Sequence, residues 1–267
     1  MSARRYILRA AAPDGIGIIA DVMGHLASHR VSVTENHDFG DPQSERFFIW
    51  AKFEAEQGFN ETAFRDGFAT LAQRREMEWS LRLERAQPKT LIMVSKGDHC
   101  LNDLLYRHRR GRLGADIVAI VSNHTDTKWH ADRHDLSFFH VPVTRDTKAA
   151  AEQRLREIIA ETGANLVVLA RYMQVLSDTM CQELAGRCIN IHHSALPSFK
   201  GARPYHQAHA RGVKLIGATA HFVTGDLDEG PIIAQDVAPV DHRLSAEKMA
   251  ELGKDIEARV LARAVKA

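Results

Sequence analysis

At 267 residues with 45% hydrophobic content, the chain is long enough for one large domain or two modest ones. A formal net charge of +1 leaves no electrostatic case for a nucleic-acid partner, and no apolar run reaches membrane-spanning length. The three cysteines, Cys100, Cys181 and Cys188, show no C-x-x-C spacing, and their odd count does not suggest a disulfide framework, which favours a reducing compartment.

The first apolar run is interrupted by Arg9 and ends at Pro13-Asp14. That is too short for a secretory signal, and a cytoplasmic location is expected. Tyr6 to Ala11 reads as a strand, and Ile16 to His29 as a helix with Ile19, Val22, Met23 and Leu26 on one face. Val31 to Asp38 and Arg46 to Phe53 read as strands joined by a turn-rich segment. Thr62 to Arg75 is a second predicted helix and Met77 to Leu83 a closing strand. The order βαββαβ makes residues 1–83 a ferredoxin-like split unit. Gly15-Ile-Gly17-Ile-Ile-Ala20 satisfies the dinucleotide-binding pattern, with Glu35 and Asp38 near the place of a ribose-binding acid. Yet the second strand turns straight into a hairpin, so no parallel βαβαβ sheet can form and that reading is set aside.

Residues 84–88 read as a linker closed by Pro88. From Lys89 to the end, strands at Leu91–Ser95, Ile117–Ser122, Ser137–His140, Leu166–Ala170 and Cys188–Ile191 alternate with helices at Leu101–Arg109, Lys148–Thr162 and Ser177–Leu184. Such alternation predicts an α/β, Rossmann-like, mostly parallel sheet with helices on both faces. Ile216–Val223 and Ile232–Val237 should add antiparallel strands. A last helix begins behind Ser245 as N-cap, with Met249, Leu252, Ile256 and Val260 as its buried stripe.

The chemistry gathers at Asn190-Ile-His-His-Ser-Ala-Leu-Pro197 and at His221 to Pro231. Asn190 and His192 are two residues apart on a strand, so their side chains leave the same face. An amide donor beside an imidazole can stabilise an oxyanion and manage its proton. The second segment offers a carboxylate, Asp226 or Asp228, to orient the imidazole, and a nearby anion favours its charged form. With no activated Ser or Cys beside them, these groups point to acyl chemistry in which water or an amine attacks. Paired histidines in a turn also serve as hydrogen-bonding structure. His206 and His209 have helical i, i+3 spacing, but nothing around them completes a zinc site, and no metal is expected.

Asn190-Ile-His192-His-Ser-x-Leu-Pro197-Ser-Phe-x-Gly201, followed by Gly217-x-Thr-x-His221-x-Val and Gly230-Pro-Ile-Ile, resembles the formyltransferase family that uses 10-formyltetrahydrofolate. The resemblance implies Asn190, His192 and Asp228 as the catalytic trio. Asp228 is preferred to Asp226 because it stands two residues before Gly230, as the family's aspartate does. Members that formylate a ribonucleotide amine hold its phosphate in a Gly/Ser/Asn-rich loop. Here that stretch is Ser95-Lys-Gly-Asp-His-Cys-Leu-Asn102, where Asp98 would repel a phosphate. With Ala170-Arg-Tyr-Met-Gln174 and Gly201-Ala-Arg-Pro-Tyr-His206, the chain instead resembles the formyltetrahydrofolate deformylases, hydrolases that use water as acceptor. Ala195 and Ser198 depart from the apolar residues that resemblance leads one to expect. It implies release of formate and tetrahydrofolate, in one-carbon metabolism and formate supply for purine biosynthesis, with no cofactor. It also implies a folate contact set of Met173, Gln174, Leu176, His193 and Thr224, although Met173 and Leu176 read equally as core. The alternatives are formyl transfer to an amine acceptor and a non-catalytic amino-acid sensor.

The Ala-Pro-Asp14-Gly15-Ile-Gly17 turn resembles the ACT domain, a small regulatory module that pairs with copies of itself. That resemblance implies a homo-oligomer, dimer or higher, and glycine or methionine as possible effectors. Backbone N–H groups at Asp14, Gly15 and Gly17 would meet the effector's carboxylate, and Asn36 its ammonium. A module that only dimerises is the equal alternative.

Overall fold

The structure, a computed structural model, describes residues 4–197 and 204–267; the Ser198-to-Arg203 part of the motifs lies outside the described residues. The chain divides into two compact units, Met1–Gln87 and Pro88–Ala267.

The first unit runs β1 (Arg4–Pro13), α1 (Ile18–Ser28), β2 (Ser32–Asp41), β3 (Arg46–Ala55), α2 (Glu61–Arg74) and β4 (Glu78–Leu83). Its four-stranded sheet has the order β2-β3-β1-β4, and every pairing is antiparallel, which removes the parallel scaffold a dinucleotide would need. Alternation along β3 sends Ile49, Ala51, Phe53 and Ala55 into a core with Tyr6, Leu8, Phe64 and Phe68. On α1 the buried stripe is Ile18, Val22 and Leu26; Ile19, expected inside, is 42% exposed because it stands about 100° around the helix from Ile18, off that i, i+4 stripe.

The second unit runs β5 (Lys89–Val94), α3 (His99–Arg109), β6 (Asp116–Ser122), α4 (Lys128–Arg133), β7 (Ser137–His140), α5 (Lys148–Thr162) and β8 (Leu166–Leu169). It continues through α6 (Asp178–Glu183), β9 (Cys188–His192), α7 (Pro204–Ala210), β10 (Leu215–Phe222), β11 (Ile232–Pro239) and α8 (Ala246–Lys266). The sheet order is β11-β10-β9-β8-β5-β6-β7. β9, β8, β5, β6 and β7 are parallel, and β10 and β11 add antiparallel strands as expected. Strand order turns back between β5 and β8, so a crevice opens at their carboxyl ends. Ser245 accepts from the Lys248 N–H and caps α8.

Candidate active site

β9 delivers Asn190 and His192 to one face, and antiparallel pairing sets His221 of β10 opposite Asn190 and Thr219 opposite His192. The Asn190 amide Nδ2 lies 3.2 Å from His221 Nε2, while His221 Nδ1 lies 2.9 Å from the Phe222 carbonyl oxygen. A carbonyl only accepts, so His221 donates from Nδ1 and its Nε2 accepts one amide N–H from Asn190. The second N–H of that amide is left for another acceptor. Buried Thr219 donates to the Ser194 carbonyl and accepts from the Leu196 N–H, fixing the turn behind the two histidines.

His192 is 5% exposed. Its Nδ1 lies 3.1 Å from Asp228 Oδ2, and its Nε2 is buried with no hydrogen-bond partner among the described residues. Asp228 Oδ1 lies 3.5 Å from His221 Nε2. The hydrogen bond from His192 first, and then the closeness of the His221 ring, hold the Asp228 carboxyl well below the usual carboxylate range, against the cost of its burial. The loop that presents it is held shut at Gly230, where any side chain would meet the Phe222 carbonyl, and by the Phe222 N–H to Pro231 bond. Asp228 itself has φ +59°, in the left-handed region that aspartate tolerates better than most residues. Asp226, the rival carboxylate, is exposed in the same loop.

These groups line a cavity of about 240 Å³. Asn190, His192, His193, His221, Asp226, Asp228 and Arg171 are polar groups of its wall, and Met173, Gln174, Val175, Leu176, Thr224 and Leu227 are among its other lining residues. All eight residues read as catalytic or folate-binding therefore line one cavity. Met173 is 60% exposed, as are Val175 and Leu227 to a similar degree, so an open apolar rim stands where core had been the alternative; Leu176, at 8%, is packed into the core. The wall from 171 to 177 is tied down at both ends. Ser95 accepts from the Met173 N–H while donating to Asn123, and Glu152 accepts from both the N–H and the hydroxyl of Ser177.

The formyl transferase family model matches residues 88–265. A formyltetrahydrofolate deformylase of Corynebacterium sp. (strain P-1) is 46% identical over 98% of this chain and 92% of its own length. The chain belongs to the formyltetrahydrofolate deformylase family. A solved deformylase structure from Burkholderia mallei superposes with a TM-score of 0.95, at 52% identity over 99% of this chain and 94% of that one. A glycinamide ribonucleotide transformylase from Symbiobacterium toebii, 29% identical, matches only 70% of this chain but 90% of its own, with a TM-score of 0.64.

Behind the cavity this deformylase-family chain carries a buried cluster to which the sequence reading gave no role. Glu257 of α8, 1% exposed, accepts from Tyr205 Oη at 2.7 Å and lies 2.8 Å from His99 Nε2 and 3.4 Å from Arg171 Nε. Those partners hold its carboxyl below the ordinary value despite the burial. Gly253, one turn earlier, leaves the space that the Tyr205 ring occupies. The one sequence signal was an acidic residue set within the apolar stripe of α8. His99, Cys100 and Glu257 lie close enough to ligate a metal, but the neighbouring Arg171 guanidinium opposes a cation there. His206 lies 3.9 Å from Glu247, and His209 shares its short helix.

At the β1–α1 turn, Asp14 and Gly15 border an open hollow with Ile16, Asp41, Pro42 and Glu45, and Gly17 is the N-cap of α1 with φ +87°. The arrangement differs from the expected carboxylate cradle in two respects. The Asp14 N–H already donates to the Glu45 carbonyl, and the hollow's three carboxylates repel an anion. Asn36 does not border the hollow; its amide donates to Asp38 along β2, which points it at its own strand.

Proposed function

We propose that the chain hydrolyses 10-formyltetrahydrofolate to formate and tetrahydrofolate, with water as formyl acceptor. The observation that carries this reading is the convergence of Asn190, His192 and Asp228 on one apolar-rimmed cavity in a chain of this family. Water adds to the formyl carbon while the second Asn190 N–H receives the charge gathering on the carbonyl oxygen. The proton released by the attacking water passes to His192 Nε2, and Asp228 stabilises the imidazolium at Nδ1. As the carbon–nitrogen bond breaks, His192 returns that proton to the departing folate nitrogen. The ring systems of the folate lie along Met173, Gln174 and Leu176, with Thr224 and His193 as polar contacts.

Transfer to an anionic amine acceptor is less well served, because the Arg171 guanidinium is already paired with Glu257 within the chain. Asp98, too, faces His130 rather than an open anion site. The intact reacting groups count against a sensor without activity. The experiment is to incubate purified protein with 10-formyltetrahydrofolate and no acceptor, and to assay formate. Formate at catalytic turnover is expected; none would end the hydrolase reading. Formate for purine biosynthesis is the metabolic use this reading implies.

The first unit, βαββαβ with strand order β2-β3-β1-β4, is read as an ACT-like module that self-associates. If it binds glycine or methionine at the β1–α1 turn, the carboxylates there suit the ammonium end of the effector.

A further inference from the structure

Arg171 follows β8 with φ +64°, a backbone state that an arginine keeps only where its surroundings hold it. Its guanidinium bridges two partners, Glu257 Oε2 at 3.4 Å and His193 Nδ1 at 2.7 Å. Glu257, also held by Tyr205 and His99, is a fixed buried anion that keeps the guanidinium in place. Guanidinium nitrogens only donate, so His193 Nδ1 must present its lone pair and the ring carries its proton on Nε2. A second proton would set N–H against N–H. Burial first, and then the Arg171 charge, hold His193 down at about 4. His192, whose ring centroid is 4.9 Å away, is met at the same atom by the opposite charge, Asp228 at 3.1 Å.

We infer that the Glu257–Arg171 pair is a positioning device that assigns the proton between two adjacent histidines. His193 is held as the neutral Nε2–H tautomer, a fixed donor at the wall of the cavity, and the imidazolium is reserved for His192. Two imidazolium rings at this separation would repel, so a neutral His193 leaves His192 free to take the proton the reaction moves. The groups that face the pair come from several elements. Arg171 precedes α6, Tyr205 lies on α7 with its ring 6.4 Å from His193, Glu257 is on α8, Asp228 follows β10, and His221 is on β10. His99 and Cys100 of α3 face Glu257. This deepens the hydrolase reading, on which only its kinetic arm depends.

The test uses full-length protein labelled with ¹⁵N in histidine, with His193 resonances identified by their loss in His193→Gln. The ring should show a lone-pair Nδ1 and a protonated Nε2, unchanged from about one pH unit above to about one below the ordinary imidazole pKa of about 6.5. A wild-type His193 carrying Nδ1–H, or taking a second proton within that range, overturns the inference without reference to activity. Arg171→Gly keeps the left-handed backbone and removes the guanidinium. In it, protonation of His193 should move from near 4 toward about 6.5, the acid-side loss of kcat should move up with it, and added guanidinium ion should reverse the change. Glu257→Gln, which keeps the side-chain shape but removes an anion that itself favours a charged His193, should raise the profile far less than Arg171→Gly or not at all. A variant slowed equally at every pH, with an unchanged tautomer, would make Arg171 merely structural. Absence of formate from wild-type protein would instead fail the functional reading and leave the tautomer result standing.

Discussion

Asn190 spends one amide N–H on His221 and keeps the other for the reacting oxygen. Asn190→Ala is therefore expected to lower kcat by about 10² to 10³, the usual cost of an oxyanion donor, with little change in folate affinity. Steady-state formate release with varied donor measures both, and unchanged turnover would remove Asn190 from the mechanism. Asp228 and Asp226 are separated by environment rather than by chemistry. Asp228→Asn keeps the shape but loses the anion opposite His192 Nδ1, so hydrolysis should nearly vanish while folate still binds. Asp226 is exposed, and Asp226→Asn should leave the rate within a few-fold. The reverse outcome would place the working carboxylate two residues earlier. The Asp228 carboxyl is held well below the usual carboxylate range, so this contrast should persist through mildly acidic pH.

At the scale of elements, Gly230 tests whether the loop or the aspartate alone makes the site. A Cβ there would lie 1.8 Å from the Phe222 carbonyl oxygen, and neither backbone can yield without moving Asp228. Gly230→Ala should cost most of kcat while the unit stays folded, as circular dichroism would show. Ser245→Ala, at the start of α8, should instead lower stability by about 1 kcal/mol and leave kcat alone, because it removes only a cap. The strands, the long helices and the Asn190, His192, Asp228 set were legible because each rests on local spacing, period two or 3.6, or on a fixed motif. Two short helices, α4 and α7, span 6 and 7 residues and carry too few apolar positions to declare a stripe. The Glu257 cluster was not legible for a different reason. Its members lie far apart in sequence, with 158 residues between the numbers of His99 and Glu257, and only the topology brings α3, α7 and α8 together. Asn36 misled because a neighbouring strand position says nothing of where an amide finds its nearest acceptor, which here is Asp38.

The molecule has separate cores, one in the first unit and one on each face of the second unit's sheet, and among the described residues the first unit leaves one sheet face without a helix over it. Helices α1 and α2 cover the side that carries Tyr6, Leu8, Ile49 and Phe53. On the other side Phe39 pairs with Phe48 across β2 and β3, 62% and 40% exposed, beside His37 and Trp50. With Arg9 and Ala11 of β1 they form a hollow of about 570 Å³. A net charge of +1 supplies almost no repulsion between copies, and an exposed aromatic face of this kind favours association. The proposed self-pairing of this unit thus has a definite surface to use, and Phe39 is its most exposed large hydrophobic residue. Phe39→Asp should lower the mass seen by light scattering toward that of a single chain, while the melting temperature at high concentration falls only as far as dissociation requires. Formate release per chain separates assembly from chemistry in the same samples. Activity retained by the smaller species would mean that the reacting groups need no partner copy, and activity lost with mass would make pairing a condition of catalysis. A wild-type protein that scatters as a monomer across the accessible concentration range would sink the pairing altogether and leave the aromatic face to another role.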